Sequence, residues 1–194
     1  ERGRDRARTA PLLDALAAEF AAEDTVAWAL YKSGRAHAAE GQLDAAIERY
    51  ERVEQAAPRN RYADDAAYFA AIADREAGRL DAMKTRLEAL PARYPQGDMR
   101  ADALFLLAWQ AREDGALDEA LTHLERSVAL VPMEDGEDLL GRARYWKART
   151  LADLGRTDEA KAAYADVVRA FPLGYYAQLA LSKLRPLDEA EATR

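Results

Sequence analysis

Residues 41–58, GQLDAAIERYERVEQAAP, carry a glycine, an aspartate three positions later, an alanine five later, a tyrosine nine later and a proline seventeen later. The same spacing returns along the chain. Gly41, Gly78, Gly115 and Gly155 are each followed at the third position by Asp44, Asp81, Asp118 and Asp158, and at the seventeenth by Pro58, Pro95, Pro132 and Pro172. Five after each glycine stands Ala46, Met83, Ala120 or Ala160, and seven before it Gly34, Ala71, Ala108 or Ala148. Two independent punctuators thus share one period of 37, 37 and 40 residues, which marks an internal repeat.

Each position has a physical reason. Glycine takes the left-handed conformation that ends one helix, and the aspartate sets negative charge against the positive end of the next. Small residues let two antiparallel helices approach, while Tyr50, Leu87, Leu124 and Tyr164, nine after each glycine, fill the space toward the next pair. Proline lacks an amide proton and stops the second helix. The unit is a helical hairpin, and it resembles the tetratricopeptide (TPR) pattern, lengthened by three to six residues in its linkers. The expected fold is all-α, a TPR-type α-solenoid: a right-handed superhelix of helical hairpins forming a single domain. Residues 1–24 make an N-terminal arm and the helix of an incomplete repeat, with TAPLLDALAAEFAAE (residues 9–23) as that helix. Four repeats follow at 25–60, 61–97, 98–134 and 135–172, then a C-terminal helix and tail at 173–194. The RGRDRAR stretch (residues 2–8) reads as a solvated, partly disordered terminus rather than a basic binding arm.

Composition narrows the function. The net charge of −7 opposes tight binding to nucleic acid or to an anionic membrane surface. No apolar run is long enough to span a membrane. The absence of cysteine removes disulfides, thiol catalysis and thiolate metal sites. A chain opening on Glu1 is expected to be a domain or processed product of a longer protein. The two histidines are separated by the repeat frame, which puts His37 at a core position of a first helix and His123 on the outward face of a second. Acid pairs Glu134–Asp135 and Glu137–Asp138 lie after Pro132, where a solvated helix start explains them. Neither a phosphate loop nor a Ser/His/Asp set is present, so the segment is expected to have no catalytic residue, no metal and no cofactor.

Binding is the better prospect, because a solenoid of hairpins lines its concave side with first helices. Ten residues before each glycine stand Tyr31, Tyr68, Phe105 and Tyr145. Six or three before a glycine stand Arg35, Trp109 and Arg149, and Arg75 and Arg112. Aromatic faces with guanidinium groups suit a peptide or a glycan strand carrying carboxylates. The alternative is that the aromatics pack between successive first helices as core. One familiar role is disfavoured: TPR co-chaperones that grip a C-terminal carboxylate use a lysine and an asparagine where this chain has Tyr31 and Arg35.

The end of the chain carries a further resemblance. ARYWKARTLADLGRTDEAKAAYADVV (residues 143–168) followed by FPLGYYAQLALSKL (residues 171–184) resembles the superhelical domain of soluble lytic murein transglycosylases, in which a Tyr-Trp helix, a Gly-Arg turn and a Tyr-Tyr-Ala helix precede the catalytic module. That resemblance implies a non-catalytic scaffold in the periplasm or cell envelope, with peptidoglycan strands and an adjacent catalytic module in the same chain as partners. The Glu-Ser dipeptide of that family's catalytic module is missing here. The alternative is a stand-alone TPR adaptor that binds a protein or peptide segment. Tyr175 and Tyr176 point about 100° apart on a helix, so one of them must face something other than the core.

Overall fold

Gly41, Gly78, Gly115 and Gly155 all adopt a left-handed backbone, with φ of 74°, 75°, 78° and 76°. Each closes the same pair of hydrogen bonds. The glycine amide donates to the carbonyl three residues back (Ala38, Arg75, Arg112, Ala152), and the next amide reaches five residues back (His37, Asp74, Ala111, Leu151). This double closure satisfies carbonyls left open at the end of a helix and reverses the chain at the same place in every repeat.

The computed structural model describes residues 2–19, 23–130 and 141–192, with side chains placed within 9–19, 24–130 and 141–187. Among the described residues the chain is all-helical, without strands: α1 (Arg2–Glu19), α2 (Glu23–Ala39), α3 (Leu43–Ala56), α4 (Ala63–Glu76), α5 (Leu80–Arg93), α6 (Arg100–Glu113), α7 (Leu117–Leu130), α8 (Arg142–Asp153), α9 (Thr157–Ala170) and α10 (Tyr175–Ala192). Asp44, Asp81, Asp118 and Asp158 all lie in the first turn of a second helix. Pro58, Pro95 and Pro172 fall two residues beyond the ends of α3, α5 and α9. Pro132 and the acid pairs Glu134–Asp135 and Glu137–Asp138 lie outside the described residues.

The chain divides into two compact units, Glu1–Ala103 and Leu104–Arg194. In the first, Tyr50 of α3 is 1% exposed and packs among Tyr31, Ala46, Val53, Ala66 and Ala70. Its ring lies against α2 at Gly34, where there is no side chain: a Cβ on Gly34 would sit 2.6 Å from the ring. Helix α1 is fastened to the first hairpin through Asp14, which accepts hydrogen bonds from Ser33 (2.6 Å) and from two nitrogens of Arg49 (3.2 and 2.8 Å). Burial pushes the Asp14 carboxyl up, but the bonds from Arg49 and Ser33 outweigh it and hold the group at about 2. In the second unit, Tyr164 of α9, also 1% exposed, packs among Tyr145, Ala148, Leu151, Val167 and Ala180.

Two sequence expectations need correction. His123 is buried (5% exposed), because the outward side of α7 is covered where that residue sits, and its Nε2 lies 3.7 Å from Glu119 one turn earlier. Helix α1 begins at Arg2, so the backbone of RGRDRAR continues the helix expected to start at Thr9. The expected C-terminal helix is α10, which starts at Tyr175 and runs to Ala192 with Pro186 inside it.

Candidate functional site

The first helices bring the aromatic and arginine positions together within each unit. In the first unit Tyr31 of α2 stacks on Tyr62 (centroids 5.2 Å, 18° between planes) and also touches Tyr50 and Phe69. Arg35, one turn further on, donates to the Tyr31 hydroxyl at 3.1 Å and lays its guanidinium 4.1 Å from the centre of the Phe69 ring. That cation–π geometry holds an exposed arginine on a half-buried aromatic face. Tyr68 joins through an edge contact with Phe69 at 5.5 Å, and Arg75 sits half-buried in the last turn of α4. Beside Tyr62, the exposed Trp28 with Asp24, Asn60 and Arg61 lines an open cavity of about 570 Å³. Asp65, at the start of α4, is pushed up to about 6 by burial and by Asp64 and Asp98.

The second unit holds Phe105, Trp109, Arg112, Tyr145 and Arg149 in one connected group. Phe105 stacks with Trp109 (6.5 Å, 25°), and Trp109 meets Trp146 edge-on at 4.9 Å. Trp146 in turn packs on Tyr145 at 5.6 Å. Arg142 covers the Phe105 face at 4.1 Å and Arg112 the Trp146 face at 5.2 Å. Arg112 donates to the Thr150 hydroxyl and to Asp153, each at 2.6 Å, and Arg149 donates to the other Asp153 oxygen at 3.1 Å. Burial would raise the Asp153 carboxyl, yet the hydrogen bonds from Arg112 and Arg149 hold it below its usual value.

The aromatic column therefore has two characters. Tyr31 and Tyr145 are 6% and 5% exposed and pack in the cores of their units. Tyr68, Phe105 and Trp109 are half-buried and keep part of their rings at the surface. Sequence reasoning missed Trp28, Tyr62, Phe69 and Trp146. A signal existed for two of them, since Phe69 and Trp146 both stand nine before a glycine, adjacent to the aromatic column at the tenth position. Among the described residues no group of three or more His, Asp or Glu side chains is placed to hold a metal ion, and no helix is long and apolar enough to cross a membrane.

The profile of the tetratricopeptide repeat-like domain matches residues 19–188. The chain belongs to that family. No curated protein matches the chain significantly. Solved structures similar to it include a tetratricopeptide repeat protein from Parabacteroides merdae, 15% identical, with a TM-score of 0.65 over 84% of this chain and 60% of that one. This chain thus spans less than two thirds of that relative. The C-terminal part of a TPR repeat-containing protein from Cytophaga hutchinsonii matches with a TM-score of 0.71 at 11% identity, covering 98% of this chain and 69% of that one. YrrB, a TPR protein with an unusual peptide-binding site, matches with a TM-score of 0.54 at 19% identity over 82% of this chain and 79% of its own. At these identities the likeness concerns the fold: an all-α, TPR-type helical solenoid.

Proposed function

We propose that this TPR domain is a non-catalytic interaction scaffold that binds an extended protein segment on the face of its first helices. The observation that carries the reading is the row of half-buried aromatics Phe105, Trp109 and Trp146, flanked by Arg112, Arg142 and Arg149 within one unit. Such side chains give a partner large, rigid contact area together with donors for its carbonyls and carboxylates, the composition that dominates interface energetics. The peptide-binding site named for YrrB, a protein of the same fold, supports the same kind of partner.

Selection of random displayed peptides on the immobilised chain tests the proposal. Peptides recovered on the wild type are expected to bind the Trp109→Ala, Trp146→Ala double variant at least tenfold more weakly. Recovery of no peptide, or binding that ignores both tryptophans, would contradict it.

A second reading, scaffolding within a murein-degrading lytic transglycosylase of the envelope, draws on the Tyr-Tyr-Ala helix. Tyr175 is 67% exposed and Leu173 96% exposed, whereas Ala177 is fully buried, so this corner presents apolar surface that a further module would cover. Co-sedimentation with purified murein sacculi distinguishes the two. Retention on sacculi favours the envelope scaffold, and a chain left in the supernatant favours the adaptor.

A further inference from the structure

Repeat one departs from the other three at one spot. Thirteen positions before its glycine stands Trp28, where the other repeats carry Asp65, Asp102 and Arg142. A place that elsewhere takes a charge is seldom part of a core, and Trp28 there is 39% exposed. Its ring meets no other aromatic among the described residues. The loop after the proline is distinct as well. Residues 59–61 read RNR, eighteen to twenty after Gly41, whereas the corresponding stretches of the other repeats read QGD (96–98), MED (133–135) and LGY (173–175).

These departures meet in space. Trp28 and the RNR loop line the open cavity of about 570 Å³ beside Tyr62, a volume within the range of small-molecule sites. Asn60 reaches across to the start of α2 and donates to one oxygen of Asp24 at 2.5 Å, while its own side-chain oxygen accepts from the Tyr62 amide at 3.0 Å. The loop is thereby tied to α2, and the second oxygen of Asp24 has no partner among the described residues. Arg61 donates to the Tyr62 hydroxyl at 2.8 Å and lies 4.7 Å from the centre of that ring. Arg59 and the Thr25 hydroxyl, on the same walls, have no partner among the described residues. The cavity thus combines one open aromatic face, a carboxylate oxygen and guanidinium donors. A phosphate or a carboxylate would meet Asp24, a cation would meet Arg59 and Arg61, and a wholly apolar ligand would strip water from all three without replacing its bonds. A ring with an apolar face and hydroxyls around its edge satisfies every group, because each hydroxyl both donates and accepts.

We propose that the Trp28 cavity binds a sugar, a pyranose ring with equatorial hydroxyls laid on the indole face, with neighbouring hydroxyls held between Asp24 and Arg59. In such a ring the C–H bonds stand axial and make a flat apolar face, which packs on tryptophan by dispersion. The hydroxyls project around the edge. Asp24 accepts from one of them and Arg59 donates to the next, both as charge-assisted bonds. Asn60 is a positioning residue that fixes the Asp24 carboxylate. The site lies wholly within the first unit, and the inference rests on neither reading of the partner given above.

The test titrates the intact chain with cellotetraose, with chitotetraose as its N-acetylated counterpart, and with inorganic phosphate. Nuclear magnetic resonance of the tryptophan indole N–H groups is the readout, with the Trp28 signal assigned by its loss in Trp28→Phe. At least one of the two sugars is expected to shift the Trp28 signal and leave those of Trp109 and Trp146 in place, while the sugar's own ring protons move upfield in the ring current. Phosphate should shift none of them. Trp28→Ala is expected to abolish the upfield shift of the sugar protons, and Asp24→Ala to weaken binding about tenfold, as loss of a hydrogen bond to a charged group does. Arg59→Ala should weaken it about threefold at an unchanged melting temperature, since this exposed side chain holds nothing else among the described residues, which keeps the test independent of folding. A response to one sugar alone supports the site and assigns its preference for or against the N-acetyl group. A Trp28 signal that ignores both sugars, that follows phosphate as strongly, or that answers the sugars unchanged in Asp24→Ala and Arg59→Ala overturns the proposal. Shifts spread evenly over the tryptophans overturn it as well. Sugar binding by a chain that sacculi leave in the supernatant keeps the site and removes the envelope scaffold; retention on sacculi without a Trp28 response does the reverse.

Discussion

Truncation of Tyr50 to alanine is expected to destabilise the first unit by about 3–5 kcal/mol, the range for large aromatic residues removed from a core. The ring is 1% exposed, lies against Gly34, and sits between the rings of Tyr31 and Phe69, each with its centre 6.3 Å away. A helix carrying glycine at position 34 cannot close over the hole with its own side chains, so relaxation recovers little. Tyr164→Ala is expected to behave alike in the second unit, where the ring packs 5.9 Å from Tyr145. Removal of the hydroxyl alone, in Tyr50→Phe, should cost nothing by comparison, since it is buried and has no hydrogen-bond partner among the described residues. Urea denaturation read at Trp28 in a Trp109→Phe, Trp146→Phe background follows the first unit specifically. A loss under about 1 kcal/mol for Tyr50→Ala would show that this unit does not depend on its inter-helix tyrosine.

The second large effect belongs to Asp74. This carboxylate is 2% exposed, in the last turn of α4, where the helix dipole disfavours negative charge. It persists because Arg79 Nε donates to one oxygen at 2.8 Å and Arg86 Nε to the other at 2.7 Å, while Arg79 also reaches Asp44 and Arg86 also reaches Glu51. Asp74→Ala therefore leaves the partly buried Arg86 with half its ion pairs, and is expected to cost about 3 kcal/mol, the lower end for a broken buried pair. Because Glu51 and Asp44 remain, the loss should stop short of unfolding the unit at room temperature. Thermal melts at low and high salt check this: the loss should persist in 1 M salt, since screening acts weakly on buried pairs. A difference that vanishes in salt would mean that the pair is a surface ornament.

The elements written into single residues were legible in the sequence. Glycine can reverse the chain at φ near +75° without strain, proline cannot continue a helix, and aspartate suits a first turn, so the hairpins follow from local chemistry. What could not be read depends on how neighbouring hairpins dock. His123 looked outward because a period of 3.6 residues gives a face, not what covers it. Asp74 gave no sign of its role, since its partners lie five and twelve residues away, at the cap of the next helix and within it. In the candidate site, the column ten before each glycine was visible, but not its division into core (Tyr31, Tyr145) and half-exposed rings (Tyr68, Phe105). The neighbouring position nine before the glycine turns about 100° around the helix, which is how Phe69 and Trp146 come to carry arginines on their faces.

Whether the half-buried aromatics of the first helices serve a partner rather than the core is tested by Phe105 within one unit, against an internal standard. Its ring is covered by Arg142 at 4.1 Å and touches Trp109, with part of it left at the surface. The decisive measurement is the unfolding free energy of Phe105→Ala beside that of Tyr164→Ala. The expected loss is about 1 kcal/mol for Phe105, against about 3–5 kcal/mol for Tyr164. A loss for Phe105 in the same 3–5 kcal/mol range would make it a core residue and contradict the claim.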